Sequence, residues 1–237
     1  MKYRSWYGPS VLLLFTFLSL RFAAAGIVDH YGQFYAEGPR GAQAFALTYD
    51  DGPGAVTEDL VKLLGKYGAR AAFFMNGGAV RRHPERAAAA AAGHIIGNHT
   101  DTHANYFQIG KKPDREKFLA AELDRAAASI EKATGKRPRF LRMPNGYDRA
   151  WVRKVAAEKR YIIVNWTYGS DWTRSEEAAM TAEYLRALGP GAILLMHDGG
   201  GKAREKTLRL TEAVLIEAAR RGLKPVGLDE LLGIPAE

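Results

Sequence analysis

Short apolar runs alternate along the chain with longer stretches in which apolar positions recur every three or four residues. The short runs are typical of strands buried on both faces, and the longer stretches are typical of amphipathic helices. The pattern predicts seven strands, at residues 44–48, 71–75, 94–97, 139–141, 161–164, 192–196 and 224–227. The helices predicted between them cover residues 57–67, 84–92, 114–134, 149–159, 176–188 and 206–220. Strands that are separated by helices in this way form a parallel sheet.

Seven strand–helix units could close into a barrel or form an open doubly wound sheet. Polar residues follow five of the predicted strands at their carboxyl ends, where β/α barrels gather their active-site loops. These residues are Asp50 and Asp51, His99 and His103, Arg142, Asp171, and His197 and Asp198. They converge on one mouth only if the sheet curls. The sequence therefore predicts an α/β fold, a deformed seven-stranded (β/α) barrel that forms a single domain over residues 26–237.

Composition narrows the possible functions of this domain. The formal net charge of +8 indicates either a solvated basic surface or attraction to anionic partners such as acidic cell-wall polymers. No run of lysines and arginines is interleaved with aromatic residues, so we expect no nucleic-acid partner. The chain has no cysteine, which excludes disulfides, cysteine nucleophiles and thiolate metal ligands.

The N-terminal residues have the layout of a secretory signal peptide. Lys2 and Arg4 precede an apolar run at residues 11–20, and small residues follow as far as Ala25, where cleavage is predicted. The run is short for a membrane span, but Arg21 leaves an uncleaved N-terminal anchor as the alternative, which would be the protein's one contact with a membrane. Either way we expect an exported bacterial protein, located in the periplasm, in the cell envelope or outside the cell.

Two segments contain the residue types of a metal site. Asp50 and Asp51 are adjacent like charges, which is costly unless one faces a cation, although a solvated Asp-Gly-Pro turn is the simpler interpretation. His99 and His103 are four residues apart, so they would lie on one helical face and could share a metal. Together with Asp51 they supply two imidazoles and one carboxylate, which is typical of a catalytic zinc site with open positions. Cobalt, nickel or iron would also suit these ligands.

Three further elements complete a possible hydrolytic set. Arg142, Asp171 with Trp172, and His197 each follow or end a predicted strand. Taken singly, they are equally consistent with a surface arginine, a turn acid beside a packing indole, and a hydrogen-bonded core histidine. Taken together, they offer a carboxylate beside a cation as a base and an imidazole beside a carboxylate as an acid.

These residues form ordered motifs along the chain. The motifs are Asp50-Asp51-Gly-Pro, His99-x-x-x-His103, Arg142-x-Pro144-x-Gly146, Asp171-Trp172 and Leu194-x-x-His197. From about residue 42 to residue 232 the chain resembles the NodB-homology polysaccharide deacetylases, which are carbohydrate esterase family 4. The chain departs from the family pattern at four positions. Tyr49 stands where phenylalanine is common, and Asn145 replaces an aromatic residue. Asp101 stands where relatives have an aromatic or small residue, and Gly169 lies in a region where relatives often carry an extra aspartate before Asp171.

The resemblance implies a role for each of these positions. It implies a divalent metal, zinc in the first place, held by Asp51, His99 and His103. It implies that Asp50 is the general base, oriented by Arg142, and that His197 is the general acid, positioned by Asp171. It further implies that the backbone amide of Asn145 binds the oxyanion and that Trp172 and Leu194 shape the pocket for the acetyl methyl group.

The activity implied by the resemblance is N-deacetylation of N-acetylglucosamine-type residues in peptidoglycan, a chitin-like polymer or a related polysaccharide. Two alternatives stay open at this point. The same site could act as an O-acetyl esterase on acetylxylan, or the chain could be a catalytically inactive carbohydrate-binding relative. The sequence specifies neither the polymer nor an oligomeric state.

Overall fold

The computed structural model describes residues 29–200 and 205–235, so the predicted leader at residues 1–25 lies outside the described residues. The strands in this part of the chain are β1 (Phe34–Tyr35), β2 (Ala44–Gly52), β3 (Ala72–Met75), β4 (Ile95–Asn98), β5 (Phe140–Leu141), β6 (Ile162–Val164), β7 (Tyr168–Gly169), β8 (Ile193–His197) and β9 (Lys224–Pro225). The α-helices are α1 (Thr57–Lys66), α2 (Gly77–Arg82), α3 (Pro84–Ala91), α4 (Tyr106–Ile109), α5 (Arg115–Thr134), α6 (Ala150–Glu158), α7 (Glu177–Ala187), α8 (Glu205–Arg220) and α9 (Leu228–Leu232). A 3₁₀ turn covers Pro144–Gly146.

The strands form one parallel sheet in the order β1-β6-β5-β4-β3-β2-β8-β7, and β9 pairs with the start of β2. β6 and β8 are separated by four strands in this order, yet Ile162 and Ile193 belong to one buried cluster. Side chains from such distant strands meet only if the sheet curls around them. The prediction of a single-domain α/β fold with a deformed barrel is therefore confirmed.

Alternation along β2 divides the core into an inner and an outer layer. Phe45, Leu47 and Tyr49 pack outward against the helices, in a cluster with residues of α1, α7 and α8. Ala46 belongs to the inner cluster, and Asp50 lies four residues further along the same face. Because successive strand residues point to opposite faces, this register aims Asp50 into the mouth of the curled sheet.

All seven predicted strands exist, but the structure adds elements that the hydrophobic pattern did not reveal. β1 and β7 have two residues each, too few to show a period, and α2, α4 and α9 have four to six residues. The seventh predicted strand shortens to β9 and pairs with Ala44 and Phe45 of β2. Among residues 29–200 and 205–235, none of the helices has the length and apolar character that crossing a membrane requires.

Candidate active site

The end of β2 turns two adjacent carboxylates toward one place. The pairing with β3 shifts register between Asp50 and Gly52, and Asp51 takes a left-handed conformation with φ 68°. In a regular strand, neighbouring side chains would point apart. Here an oxygen of Asp50 lies 3.7 Å and an oxygen of Asp51 lies 3.5 Å from the same Nε2 of His99. The irregular backbone therefore brings both acids to one imidazole.

The two histidines reach the site from a loop, so the expectation that they share a helical face is wrong. The loop directly follows β4, and His103 has a left-handed backbone with φ 54°. Nδ1 of His99 lies 2.7 Å from the backbone oxygen of Arg142, which can only accept a hydrogen bond. Nδ1 therefore carries the proton in neutral His99, and the lone pair on Nε2 is left free to bind a metal.

Asp51, His99 and His103 fit a divalent ion. Their ligand atoms all lie within 4.8 Å of one another, and Nε2 of His103 is 3.4 Å from Oδ1 of Asp51. Ligands placed about 2.0–2.2 Å from one tetrahedral zinc are roughly 3–4 Å apart, which matches the distances of 3.5 and 3.4 Å from Asp51 to His99 and His103. The three residues could therefore hold a metal with little movement. Two imidazoles and one carboxylate leave further coordination positions for water and substrate.

Arg142 holds Asp50 in its ionised form. Its guanidinium is fully buried, and one nitrogen donates to Oδ1 of Asp50 at 2.8 Å and to Oγ1 of Thr48 at 2.8 Å. The remaining nitrogens donate to the backbone oxygens of Val164 and Asn165. Burial by itself raises the pKa of Asp50, but the charges of Arg142 and His197 oppose it, and the net shift takes that pKa below its ordinary value.

Asp171 supports the opposite charge on His197. Its carboxylate is fully buried and accepts hydrogen bonds from Nδ1 and from the backbone amide of His197, both at 2.8 Å. Burial lowers the pKa of His197, but the hydrogen bond and charge of Asp171 outweigh it, so the net shift is upward. Nδ1 is bound to Asp171, so Nε2 is the nitrogen available to a substrate.

The base and the acid line one cavity of about 260 Å³. Its lining residues are Asp50, His99, His103, Asn145, Trp166, Trp172, Leu195 and His197. Pockets that enclose a whole small ligand usually measure about 300–1,000 Å³, so this one suits a single group of a larger substrate. A larger cavity of about 370 Å³ adjoins the start of β4 and β5, at the opposite end of the strands, so size alone does not mark the site.

The predicted pocket residue Leu194 does not line this cavity. Leu194 packs in the outer core layer, whereas Leu195 faces the cavity beside His197. Residues two apart in a strand share a face and residues three apart do not, so the leucine that accompanies His197 must be Leu195. Trp172 lies where it was predicted and packs edge-on against His197, with ring centroids 5.3 Å apart.

Sequence reasoning missed Trp166 at this site and gave Asp198 no role. Trp166 follows β6 and contributes to the cavity wall, and its position just beyond a strand's carboxyl end was the available signal. Asp198 is fully buried and accepts a hydrogen bond from Oγ1 of Thr57 at 2.5 Å, while its backbone amide donates to the oxygen of Asp50. Burial raises the pKa of Asp198 to about 7. Through these two hydrogen bonds Asp198 supports the turn that follows β2.

Comparison with known proteins finds relatives along most of the chain. The family model described as polysaccharide deacetylase matches residues 37–164. The chain is similar to a peptidoglycan-N-acetylglucosamine deacetylase of Bacillus cereus, with 33% identity over 201 residues, which cover 83% of this chain and 91% of the relative. It is also similar to a chitooligosaccharide deacetylase of a Bradyrhizobium species, with 30% identity, 81% of this chain and 91% of the relative covered.

Solved structures of similar fold include an enzyme and a protein without activity. A peptidoglycan N-acetylglucosamine deacetylase in complex with a hydroxamate-type ligand superposes with a TM-score of 0.78 at 25% identity, over 87% of this chain and 95% of that one. A pseudoenzyme of carbohydrate esterase family 4 from Bacillus anthracis superposes with a TM-score of 0.75 at 25% identity, over 86% and 70% of the two chains. The curled parallel sheet of this chain therefore recurs in both neighbours.

Proposed function

Because the chain belongs to the polysaccharide deacetylase family, we propose that it is a metal-dependent hydrolase that removes acetyl groups from N-acetylglucosamine-type residues of a polysaccharide, such as peptidoglycan or a chitin-like polymer. The similar pseudoenzyme means that the fold alone does not carry this proposal. What carries it is one cavity lined by an ionised carboxylate, a charged imidazole and two histidines that could hold a metal together with Asp51.

Each residue has a part in this proposed reaction. A bound divalent ion would polarise the acetyl carbonyl and lower the pKa of water from 15.7 to roughly 7. Asp50 accepts the proton of the attacking water at Oδ2, because Oδ1 is engaged by Arg142. His197 gives a proton from Nε2 to the departing nitrogen, because Nδ1 is held by Asp171. The two groups need opposite protonation states, and the two buried partners provide them.

The acetyl group would enter between two aromatic side chains and Leu195. Trp166 and Trp172 meet edge to face, with ring centroids 6.5 Å apart, and form one wall of the cavity. Asn145, whose backbone is left-handed with φ 56°, lies at the opening of the cavity, and we assign its backbone amide to the developing oxyanion. Its side chain is not aromatic, unlike the residue of the family pattern, so we expect no stacking contact to the sugar at this position.

Acetate release tests the proposal directly. The metal-loaded protein should release acetate from peptidoglycan, chitin oligomers or poly-N-acetylglucosamine, and a chelator should stop the reaction. Asp50→Asn should reduce kcat by about 10²–10⁴-fold, with fold and metal content retained. Asp59→Asn is the matched control, since Asp59 is exposed on α1 and pairs with Lys62.

The other outcomes separate the alternatives. Unchanged acetate release by Asp50→Asn would contradict the mechanism. Release from acetylxylan alone would indicate an O-acetyl esterase. Sugar binding without any release by the metal-loaded protein would indicate an inactive relative. We further propose that the metal is zinc, and metal analysis of the protein would distinguish zinc from cobalt, nickel or iron.

We also propose that residues 1–25 direct export of the protein. The N-terminal sequence of the mature protein would test this proposal.

A further inference from the structure

A cluster of four charged side chains lies behind the loop that carries His99 and His103. Asp101 belongs to this loop, Arg81 to α2, and Glu122 and Arg125 to α5. Arg81 donates to both oxygens of Asp101 at 2.6 and 3.2 Å, and Arg125 donates to Oδ2 at 3.1 Å. Arg125 also forms a short ion pair with Glu122. The two carboxylates are almost fully buried, whereas the arginine side chains are about half exposed.

Glu122 ties α5 to the backbone of the loop. Its Oε2 accepts hydrogen bonds from both the backbone amide and the hydroxyl of Thr102, each at 2.9 Å. The amides at the start of α2, Gly77 and Gly78, donate to the oxygens of Thr100 and Asp101 at 3.0 Å. All three residues between the two histidines are therefore bound to a helix packed behind them.

The backbone of this loop needs such support. Thr100 and His103 both adopt left-handed conformations, with φ 65° and 54°, which a β-branched residue such as Thr100 rarely takes. Conformations of this kind persist only where the surrounding structure over-determines them. His103 is also the most exposed of the three candidate ligands, with 30% of its side chain accessible, so the conformation of the loop backbone contributes to its placement.

We propose that Glu122 and Asp101 are positioning residues that hold His103 within reach of Asp51 and His99, and that they thereby set the affinity of this site for a divalent ion. The inference rests on the proposed function, because it presumes that the three residues bind a metal. Relatives have an aromatic or small residue at position 101, whereas here the Asp101 carboxylate pairs with the guanidinium groups of Arg81 and Arg125.

The test measures Co²⁺ affinity of the full chain by absorption titration against a competing chelator. Glu122→Gln keeps the size of the side chain but removes the charge that pairs with Arg125, and it leaves a neutral amide oxygen as a weaker acceptor for Thr102. Loss of a group that orients a metal ligand typically costs about 10–100-fold in metal affinity, and we expect a loss in that range. Glu131→Gln on the exposed side of the same helix is the control and should bind Co²⁺ as the wild type does.

Thermal unfolding of the metal-free proteins separates positioning from general stability. A purely structural role would lower the unfolding midpoint of Glu122→Gln yet leave its Co²⁺ affinity, measured well below that midpoint, equal to that of the wild type. That result would overturn the inference. If Glu122→Gln does not fold, Asp101→Asn serves in its place and should show the same loss of affinity. Absence of Co²⁺ binding by the wild type would overturn the proposed function as well, so the two failures are distinguishable.

Discussion

Replacing Asp171 by asparagine tests how the site keeps His197 protonated. The Asp171 carboxylate is fully buried and accepts two hydrogen bonds from His197, one from the ring and one from the backbone. The substituted amide would keep the size of the side chain and could still accept from the backbone amide of His197. It would lack the negative charge, which is what favours the charged imidazole. Burial lowers the pKa of His197, and without the carboxylate charge less of this lowering would be offset.

The size of the effect follows from the geometry. A carboxylate within about 4–6 Å of an ionisable group typically shifts its pKa by about 1–3 units, and this carboxylate is 2.8 Å from Nδ1. The pKa of His197 should therefore fall by about 1–3 units in Asp171→Asn, which corresponds to about 1.4–4 kcal/mol. Above the lowered pKa the general acid is deprotonated, so the alkaline limb of kcat/KM should move by the same amount toward lower pH.

The raised pKa of His197 in the folded protein also leads to a prediction about stability. The pKa of His197 is raised in the folded protein, so its pairing with Asp171 stabilises the fold fully below the unfolded pKa of about 6.5. This contribution disappears as the pH rises through the folded pKa. Asp171→Asn should therefore lower the free energy of unfolding more at acidic pH than at alkaline pH.

Kinetics and NMR check these expectations together. The assay is kcat/KM for acetate release as a function of pH, with the His197 ring titrated by NMR in the same samples. Asp124→Asn is the control, because Asp124 is exposed and pairs with Lys159 on the protein surface. An alkaline limb that stays in place while Asp171→Asn folds normally would refute the role assigned to Asp171.

Two further changes test packing around the site. In Gly97→Ala the new Cβ would overlap the buried ring of Phe74, so the ring must shift. We expect the free energy of unfolding, measured by urea titration, to fall by about 1–3 kcal/mol. An unchanged free energy would contradict the close approach of Gly97 to Phe74. Tyr184→Phe removes a hydroxyl that donates to the oxygen of Leu195 and accepts from the amide of Ser170. The unpaired groups should cost about 1–3 kcal/mol, and a neutral effect in the same titration would show that water replaces the hydroxyl.

Most of the fold could be predicted from the sequence, because its main strands are continuous apolar runs. Ala72–Met75 and Ile193–His197 are buried on both faces, so their apolar runs are nearly uninterrupted and their limits were predicted to within one residue. Tyr168–Gly169 was not predicted, since two half-buried residues carry no period. Its pairing with β8 depends on the curl of the sheet, which is set by contacts distant in sequence.

The candidate site was predictable in composition but not in conformation. A spacing of four residues suggested a helix for His99 and His103, whereas the structure places them in a loop with left-handed residues. That backbone depends on hydrogen bonds to α2 and to Glu122 on α5. The local sequence contains no pattern that identifies those partners. Strand alternation would have favoured Leu195 over Leu194 as the cavity residue, so that difference was within reach of the sequence.

Besides Asp51, three buried carboxyl groups lie at the mouth of the curled sheet, and their partners differ. Asp50 has a guanidinium partner and Asp171 an imidazole partner, whereas the side chain of Asp198 accepts from the Thr57 hydroxyl. Burial disfavours charge on all of them, so the one without a cation has its pKa raised to about 7. Asp198 can therefore brace the turn without adding a full negative charge beside Asp50. Because a carboxylate needs a low pKa to stay ionised next to other acids, the placement of Arg142 decides which of these acids can serve as the base.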